Sequence, residues 1–415
     1  MPSVVWDLIE PGLQKFKLYT PPDPTYGRYL TKPWAPEQAL DNNPTIRTRR
    51  RRVFLHGRAA PDSVDIEFAE DITLVPEELS KERIRGGRWV YYKSWEMQEE
   101  SLTSKEGLGV DILLVHGLNE YGRVADARYA PHCRYFLEKG FRVIVPDLPS
   151  YGRSTGIHSN LTDVHLLTAA VYVVAKDLIE VDIADGRKQR EVFLTGASMG
   201  GWTVLYYIIT YPPTSDVEKI ISSGSGSGVG DQPAEPKKEY RPKIAGAMVL
   251  CPLVEVAADS RPNALVELAA KALVKVAASL PMAEAVRGKV SDDPRVEREF
   301  GEDPLTYHGK LRASTGLSLL HGFTELQKKA EMIKLPIRMI HGDKDRATSH
   351  LATKAFYERI SSPEKEIKIY EGYEHVMTKV GIDEADDAKR QAVIKDWVGW
   401  MCKRATMDRE KAGSA

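Results

Sequence analysis

Gln189–Trp202, reading QREVFLTGASMGGW, constrains the fold of this chain more than any other stretch. Glu191–Thr195 is a short run of β-forming residues, and it meets a small-residue turn at Gly196-Ala197-Ser198-Met199-Gly200. Gly201–Thr210 follows with enough apolar residues for a buried helix. A strand that turns sharply into a helix brings backbone segments close together. Glycines two before and two after Ser198 remove the Cβ atoms that would clash there. The serine hydroxyl then stands clear of the sheet, with a helix N-terminus behind it. This is the G-x-S-x-G elbow, in which the serine is a nucleophile and the Met199 N–H faces a developing oxyanion. A glycine-rich turn with an incidental serine has the same five residues, so the functional reading needs partners elsewhere in the chain.

Bulk properties narrow the field. With 415 residues the chain can bury a large core, as one large domain with an insertion or as two domains. A net charge of −1 gives no global field for nucleic acid, so no nucleic-acid partner is expected. Cys133, Cys251 and Cys402 are odd in number and far apart, which argues for a reducing compartment rather than a disulfide framework. Asn160-Leu161-Thr162 is a glycosylation sequon that matters only in a secreted chain. Asp7 and Glu10 interrupt the first apolar patch, which spoils a signal peptide. No run of about 18 apolar residues exists to span a membrane. The expected location is cytoplasmic, with at most peripheral contact with membranes.

In chain order, residues 1–80 read as a proline-rich, polar N-terminal extension that packs partly on the core. Within it Arg47–Arg52 (RTRRRR) reads as a solvated linker, with anionic lipid headgroups as the alternative partner. Residues 81–253 form the first part of a core, with strands expected at Gly87–Trp95, Val110–Val115, Phe141–Val145 and Lys243–Cys251. Helices are expected at Asp126–Lys139 and Leu161–Ile179 between them. Alternating strands and helices imply right-handed βαβ units and a mostly parallel sheet flanked by helices. Thr214–Pro242, with its alternating glycines and serines, lacks the G-x-G-x-x-G spacing of a nucleotide loop and reads as a surface insertion.

Residues 254–330 break this rhythm. Over Pro262–Leu280 the polar residues Glu267, Lys271 and Lys275 form one narrow stripe on an otherwise Ala, Leu and Val surface. Such a segment suits a cap that lines an acyl-chain pocket and touches a membrane or lipid-droplet surface, or a helix buried between cap and core. Residues 331–408 return to the core. The strand Pro336–Ile340 ends in His341-Gly342-Asp343-Lys344-Asp345, and Glu366–Tyr370 ends in Glu371-Gly372-Tyr373-Glu374-His375. Ala388–Cys402 closes the chain as a helix.

Upstream of the elbow, Val110–Val115 runs into His116-Gly117-Leu118, the place where a second oxyanion donor, the Leu118 N–H, is supplied. Downstream come an acid at one strand end and His375 at the next, in the order Ser, Asp, His. Four features in order at successive strand ends make an enzyme the stronger reading. Spacing alone leaves both Asp343 and Asp345 open as the acid.

On these motifs the chain resembles the α/β-hydrolase superfamily, and within it the monoglyceride lipase (lysophospholipase-like) family, from about Gly87 to Lys403. The resemblance rests on HG..E, on PD…GRS.G at Pro146–Gly156, on GASMGG at the elbow, on DPLTYHGKLR at Asp303–Arg312, on HGDKD and on KIYEGYEHV. It implies an α/β-hydrolase fold with an inserted helical cap. It also implies the catalytic set Ser198, Asp345 and His375, the acid standing three residues after the glycine of its turn. The chain departs from the family at Ala197, where histidine is usual, and at Ser150-Tyr151-Gly152, where the family has G-H-G. The implied activity is hydrolysis of a lipid-like carboxylic ester, foremost a monoacylglycerol, without metal or organic cofactor. The alternatives are a lysophospholipase, a general carboxylesterase, an acyltransferase, or a non-catalytic lipid-binding module. A peptidase would need a charged group to hold a peptide terminus, and the sequence does not identify one.

Overall fold

A computed structural model of the chain describes residues 9–10, 12–13, 18–19, 23–34, 38, 40–55, 66–72, 88–122, 130–211, 242–257, 267–268, 271, 273–274, 277–283 and 288–413. Its centre is a nine-stranded sheet. The strands in chain order are β1 (Ile46–Leu55), β2 (Ile66–Asp71), β3 (Trp89–Met97), β4 (Val110–Val115), β5 (Arg142–Pro146), β6 (Glu191–Ala197) and β7 (Ile244–Leu250). After a small ladder of β8 (Pro281–Ala283) with β9 (Leu311–Arg312) come β10 (Ile337–Gly342) and β11 (Lys365–Tyr370). Across the sheet the order is β2-β1-β3-β5-β4-β6-β7-β10-β11. From β5 to β11 every neighbouring pair is parallel, whereas β3, β1 and β2 add an antiparallel edge.

Every residue of β4 and β7 is buried, as a parallel strand covered on both faces requires. One face carries α2 (His165–Ala184), α3 (Met199–Thr210), α5 (Ala313–Gln327) and α6 (His350–Arg359). The other carries α1 (Ala130–Glu138) and the closing helix α7 (Glu384–Gly413). This is the α/β-hydrolase architecture that the motifs implied. The helix expected from Asp126 is described from Ala130 onward, and the insertion Thr214–Pro242 lies outside the described residues except for its last position.

The basic run Arg47–Arg52 is not a solvated linker. It lies within β1, and Arg51 and Arg52 are buried. Acidic side chains on neighbouring elements meet it: Arg51 makes two bonds of 2.6 and 2.7 Å to Asp177 of α2, and Arg47, Arg49 and Arg50 reach Glu96, Asp185 and Asp41. Arg52 lies 4.9 Å from the centre of the Trp89 ring.

Between β7 and β10 stand α4 (Pro294–Glu302), the β8–β9 ladder and α5. Of Pro262–Leu280, residues 267–268, 271, 273–274 and 277–280 are described, and Leu268 is 65% exposed there. The rest of that expected apolar face lies outside the described residues. The DPLTYHGKLR segment rests on the loops above β4 and β5: the Tyr307 N–H donates to the Asn119 carbonyl at 3.0 Å and Arg312 Nε to the His158 carbonyl at 2.8 Å.

Candidate active site

Ser198 sits where β6 meets α3 with φ 56° and ψ −121°, a conformation that side chains other than glycine rarely adopt. Neighbouring glycines make it feasible. A Cβ on Gly196 would stand 2.6 Å from the Gly200 carbonyl carbon, and one on Gly200 only 2.1 Å from the Val115 carbonyl oxygen. The turn is also held by backbone bonds, from Ser198 N–H to the Leu250 carbonyl at 3.0 Å and from Leu253 N–H to the Ser198 carbonyl at 2.9 Å. The half-exposed Ser198 hydroxyl makes no hydrogen bond to any described residue.

The turn His116-Gly117-Leu118 at the end of β4 lies against this elbow: a Cβ on Gly117 would be 3.6 Å from the Ser198 Cβ. His116 is buried and its Nε2 accepts the Leu148 N–H at 2.9 Å, so its Nδ1 carries the proton and donates to the Gly117 carbonyl at 2.8 Å. Burial, only partly offset by that bond and by Glu120, lowers its pKa to about 4 and keeps it neutral. The Gly117 N–H donates to Glu120 Oε2 at 3.1 Å. With those neighbours engaged, the Leu118 and Met199 N–H groups have no acceptor among the described residues.

Asp345 and His375 come from the loops after β10 and β11. His375 Nδ1 stands 2.6 Å from Asp345 Oδ2. Asp345 Oδ1 accepts the N–H groups of Ala347 and Thr348 at 2.7 and 2.9 Å, and Oδ2 lies 2.8 Å from Thr348 Oγ1 and 3.0 Å from His341 Nε2. Burial pushes this carboxyl up, yet the charge of His375 and these donors outweigh it and hold the acid well below the usual carboxylate range. For His375 burial works downward. The charge and hydrogen bond of Asp345, with a smaller push from Glu120, turn the net shift upward. His375 Nε2 has no partner among the described residues, so no hydrogen bond joins it to Ser198. Gly342 brings the two loops together, since a Cβ there would lie 2.2 Å from the Tyr373 carbonyl oxygen. Asp343 is elsewhere: its carboxylate accepts the Gly372 N–H at 2.7 Å in an exposed position. Of the two aspartates that spacing left open, the one beside His375 is Asp345.

Several supporting residues carry no signal in a search for nucleophile, base and acid. Asp147 is buried after β5 and accepts the N–H groups of Gly122 and Arg153, both at 2.7 Å, which ties together the loops following β4 and β5. It belongs to the PD…GRS.G motif, and an acid fixed before a glycine turn is the trace it left. Thr348 and His341 flank Asp345, and only the histidine of HGDKD hinted at either.

Sequence comparison agrees with this geometry. The family model described as "Serine aminopeptidase, S33" matches residues 110–238 and 234–379. The chain belongs to this α/β-hydrolase family. Caffeoylshikimate esterase from Arabidopsis thaliana is 28% identical to it over 294 residues, covering 70% of this chain and 76% of the relative. The monoacylglycerol lipase of Mycolicibacterium smegmatis is 25% identical over 316 residues, or 76% and 94% of the two chains. Among solved structures, a Paleococcus ferrophilus monoacylglycerol lipase superposes with a TM-score of 0.54 at 22% identity, over 76% of this chain and 99% of that one. At that identity the superposition speaks for the fold.

Proposed function

We propose that this α/β-hydrolase cleaves carboxylic esters through an acyl-enzyme formed on Ser198, with a monoacylglycerol or a similar single-chain lipid ester as its substrate. The observation that carries the reading is a strained serine turn, two backbone N–H groups without acceptors among the described residues and a buried Asp345 paired with His375, all at strand ends of one sheet. His375 Nε2 takes the Ser198 proton as the hydroxyl oxygen attacks the ester carbonyl, then passes it to the departing alcohol. Asp345 fixes the histidine tautomer through Nδ1–H and stabilises the imidazolium. The Leu118 and Met199 N–H groups hold the oxyanion, each contributing about 2.7–4 kcal/mol to the transition state. Water then attacks the acyl-serine as His375 takes its proton, and the imidazolium returns that proton to Ser198 Oγ as the carboxylic acid departs.

Supporting the lipid reading are the names of several relatives and the DPLTYHGKLR segment laid over the site's loops. We place the cap over residues 254–330, with its Pro262–Leu280 segment against the acyl chain. The aminopeptidase in the family's description and the caffeoylshikimate esterase among the relatives define the competitors. A panel of mono-, di- and triacylglycerols, lysophospholipids, hydroxycinnamoyl esters, short p-nitrophenyl esters and an amino-acid p-nitroanilide separates them. Highest kcat/KM on long-chain monoacylglycerol is the expected outcome. Highest kcat/KM on the anilide or on a hydroxycinnamoyl ester would replace the lipid assignment.

A further inference from the structure

The carboxylate of Asp345 lies between two imidazoles. On the site side is His375 Nδ1 at 2.6 Å, and on the core side His341 Nε2 at 3.0 Å, both on Oδ2. His341 is fully buried, and its Nδ1 stands 2.9 Å from the hydroxyl of Thr353, itself fully buried on α6. A neutral histidine between a carboxylate and a hydroxyl has one tautomer in which no lone pairs clash. Nε2–H donates to Asp345, and Nδ1 accepts the Thr353 O–H. Because Asp345 Oδ1 is occupied by two backbone N–H groups, Oδ2 is the only oxygen left to orient His375. The Thr348 hydroxyl has a single proton to share between Oδ2 at 2.8 Å and the Cys251 carbonyl at 3.1 Å. His341 Nε2 also lies 3.2 Å from the Thr348 hydroxyl, but its shorter contact, at 3.0 Å, is to Oδ2, and no backbone carbonyl draws on its proton as one does on that hydroxyl's.

We infer that His341, locked in the Nε2–H tautomer by Thr353, is a positioning residue that fixes the charge and direction of Asp345 Oδ2 toward His375. This rests on the assignment of Asp345 and His375 to the proton-transfer machinery. The groups facing the trio are Cys251 beside Asp345, His350 with its ring 6.2 Å from that of His341, and Glu120 acting on His375. None of the three is substituted in the variants below. The donated proton draws negative charge off Oδ2, which weakens the hold of Asp345 on the imidazolium of His375. Removing it strengthens that hold, so the pKa of His375 rises and the acid limb of kcat/KM moves to higher pH.

The experiment compares His341→Leu, His341→Gln and Thr353→Val on a soluble p-nitrophenyl ester, with pH profiles and Tm for each. His341→Leu is expected to lose about 10–100-fold in kcat, the scale seen when groups that orient a metal site's ligands from behind are removed. Its KM stays near wild type and its acid limb shifts upward. His341→Gln, whose amide nitrogen can donate from nearly the position of Nε2, is expected to recover most of kcat and the wild-type limb. Thr353→Val is expected to lose several-fold in kcat with KM unchanged. It also carries the test if His341→Leu fails to fold. Wild-type kcat and pH profile in the Leu variant, or equal losses in Leu and Gln with an unmoved limb, would overturn the inference. So would an unaltered kcat in Thr353→Val. A wild-type protein without ester turnover would overturn the proposed function and this inference together, whereas variants indistinguishable from an active wild type would overturn this one alone.

Discussion

A backbone φ of 56° at Ser198 is expensive for a residue with a Cβ, on the order of 1–3 kcal/mol. In this fold the outlay places the hydroxyl above the sheet while the following N–H opens a helix. The same scale separates the two aspartates of the acid loop. Asp345 is buried with both oxygens engaged, so Asp345→Asn would favour the wrong tautomer of His375 and should cut kcat by up to about 10⁴. Asp343→Asn should be mild, since that side chain supports an exposed turn. A severe loss at Asp343 with a mild one at Asp345 would reverse the assignment. The pH profile gives a second reading of the pair. Catalysis needs neutral His375, so kcat/KM should fall as pH drops through the histidine's pKa. Asp345 raises that pKa above the ordinary 6.5, so the wild-type limb should lie above that value. Residual activity of Asp345→Asn should show the limb displaced downward, because burial then acts without its counterweight. A limb that does not move would separate Asp345 from the proton transfer.

Elements bring these residues together through close backbone approach, and that is testable at the elbow. A Cβ on Gly200 would lie 2.1 Å from a backbone oxygen of β4, which cannot yield without moving a buried strand. Gly200→Ala should cost about 3 kcal/mol or more, at the top of the range for overpacking, as a fall in the denaturation midpoint. A near-neutral effect would mean the elbow tolerates a wider turn. Legibility followed the same physics. Val110–Val115 could be located residue for residue because a doubly buried strand reads as an unbroken apolar run, and the elbow because glycines mark where backbones cross. The strand β1 was hidden because Arg47–Arg52 shows no apolar alternation. Its partners Asp177 and Glu96 lie far away in sequence, and no local pattern announces them. Asp343 and Asp345 could not be separated by spacing, since burial decides between them. For the cap, an apolar tunnel would bind each chain methylene with ~0.8 kcal/mol. Leu273→Glu or Leu268→Glu should therefore depress turnover of long-chain esters more than of acetyl esters. Equal losses would remove the acyl chain from that segment.

For the whole molecule, the antiparallel edge β3-β1-β2 extends the sheet beyond the region matched by the family model. Its anchor to the helical layer is Arg51 against Asp177, with Tyr92 donating to the same carboxylate at 2.6 Å. Arg51→Met would leave a buried carboxylate short of its charge partner and should destabilise the fold by about 3–5 kcal/mol, with kcat/KM unchanged below the melting transition. A variant as stable as wild type would show that the edge is held by other contacts. Everything else in the account depends on Ser198 being the group that carries the acyl chain. The most direct measurement is intact-protein mass spectrometry with peptide mapping after treatment with a fluorophosphonate probe, set beside ester turnover of Ser198→Ala. One adduct is expected, on Ser198, with turnover of the folded variant below about a thousandth of wild type. An adduct on another residue, or undiminished hydrolysis by Ser198→Ala, would contradict the assignment.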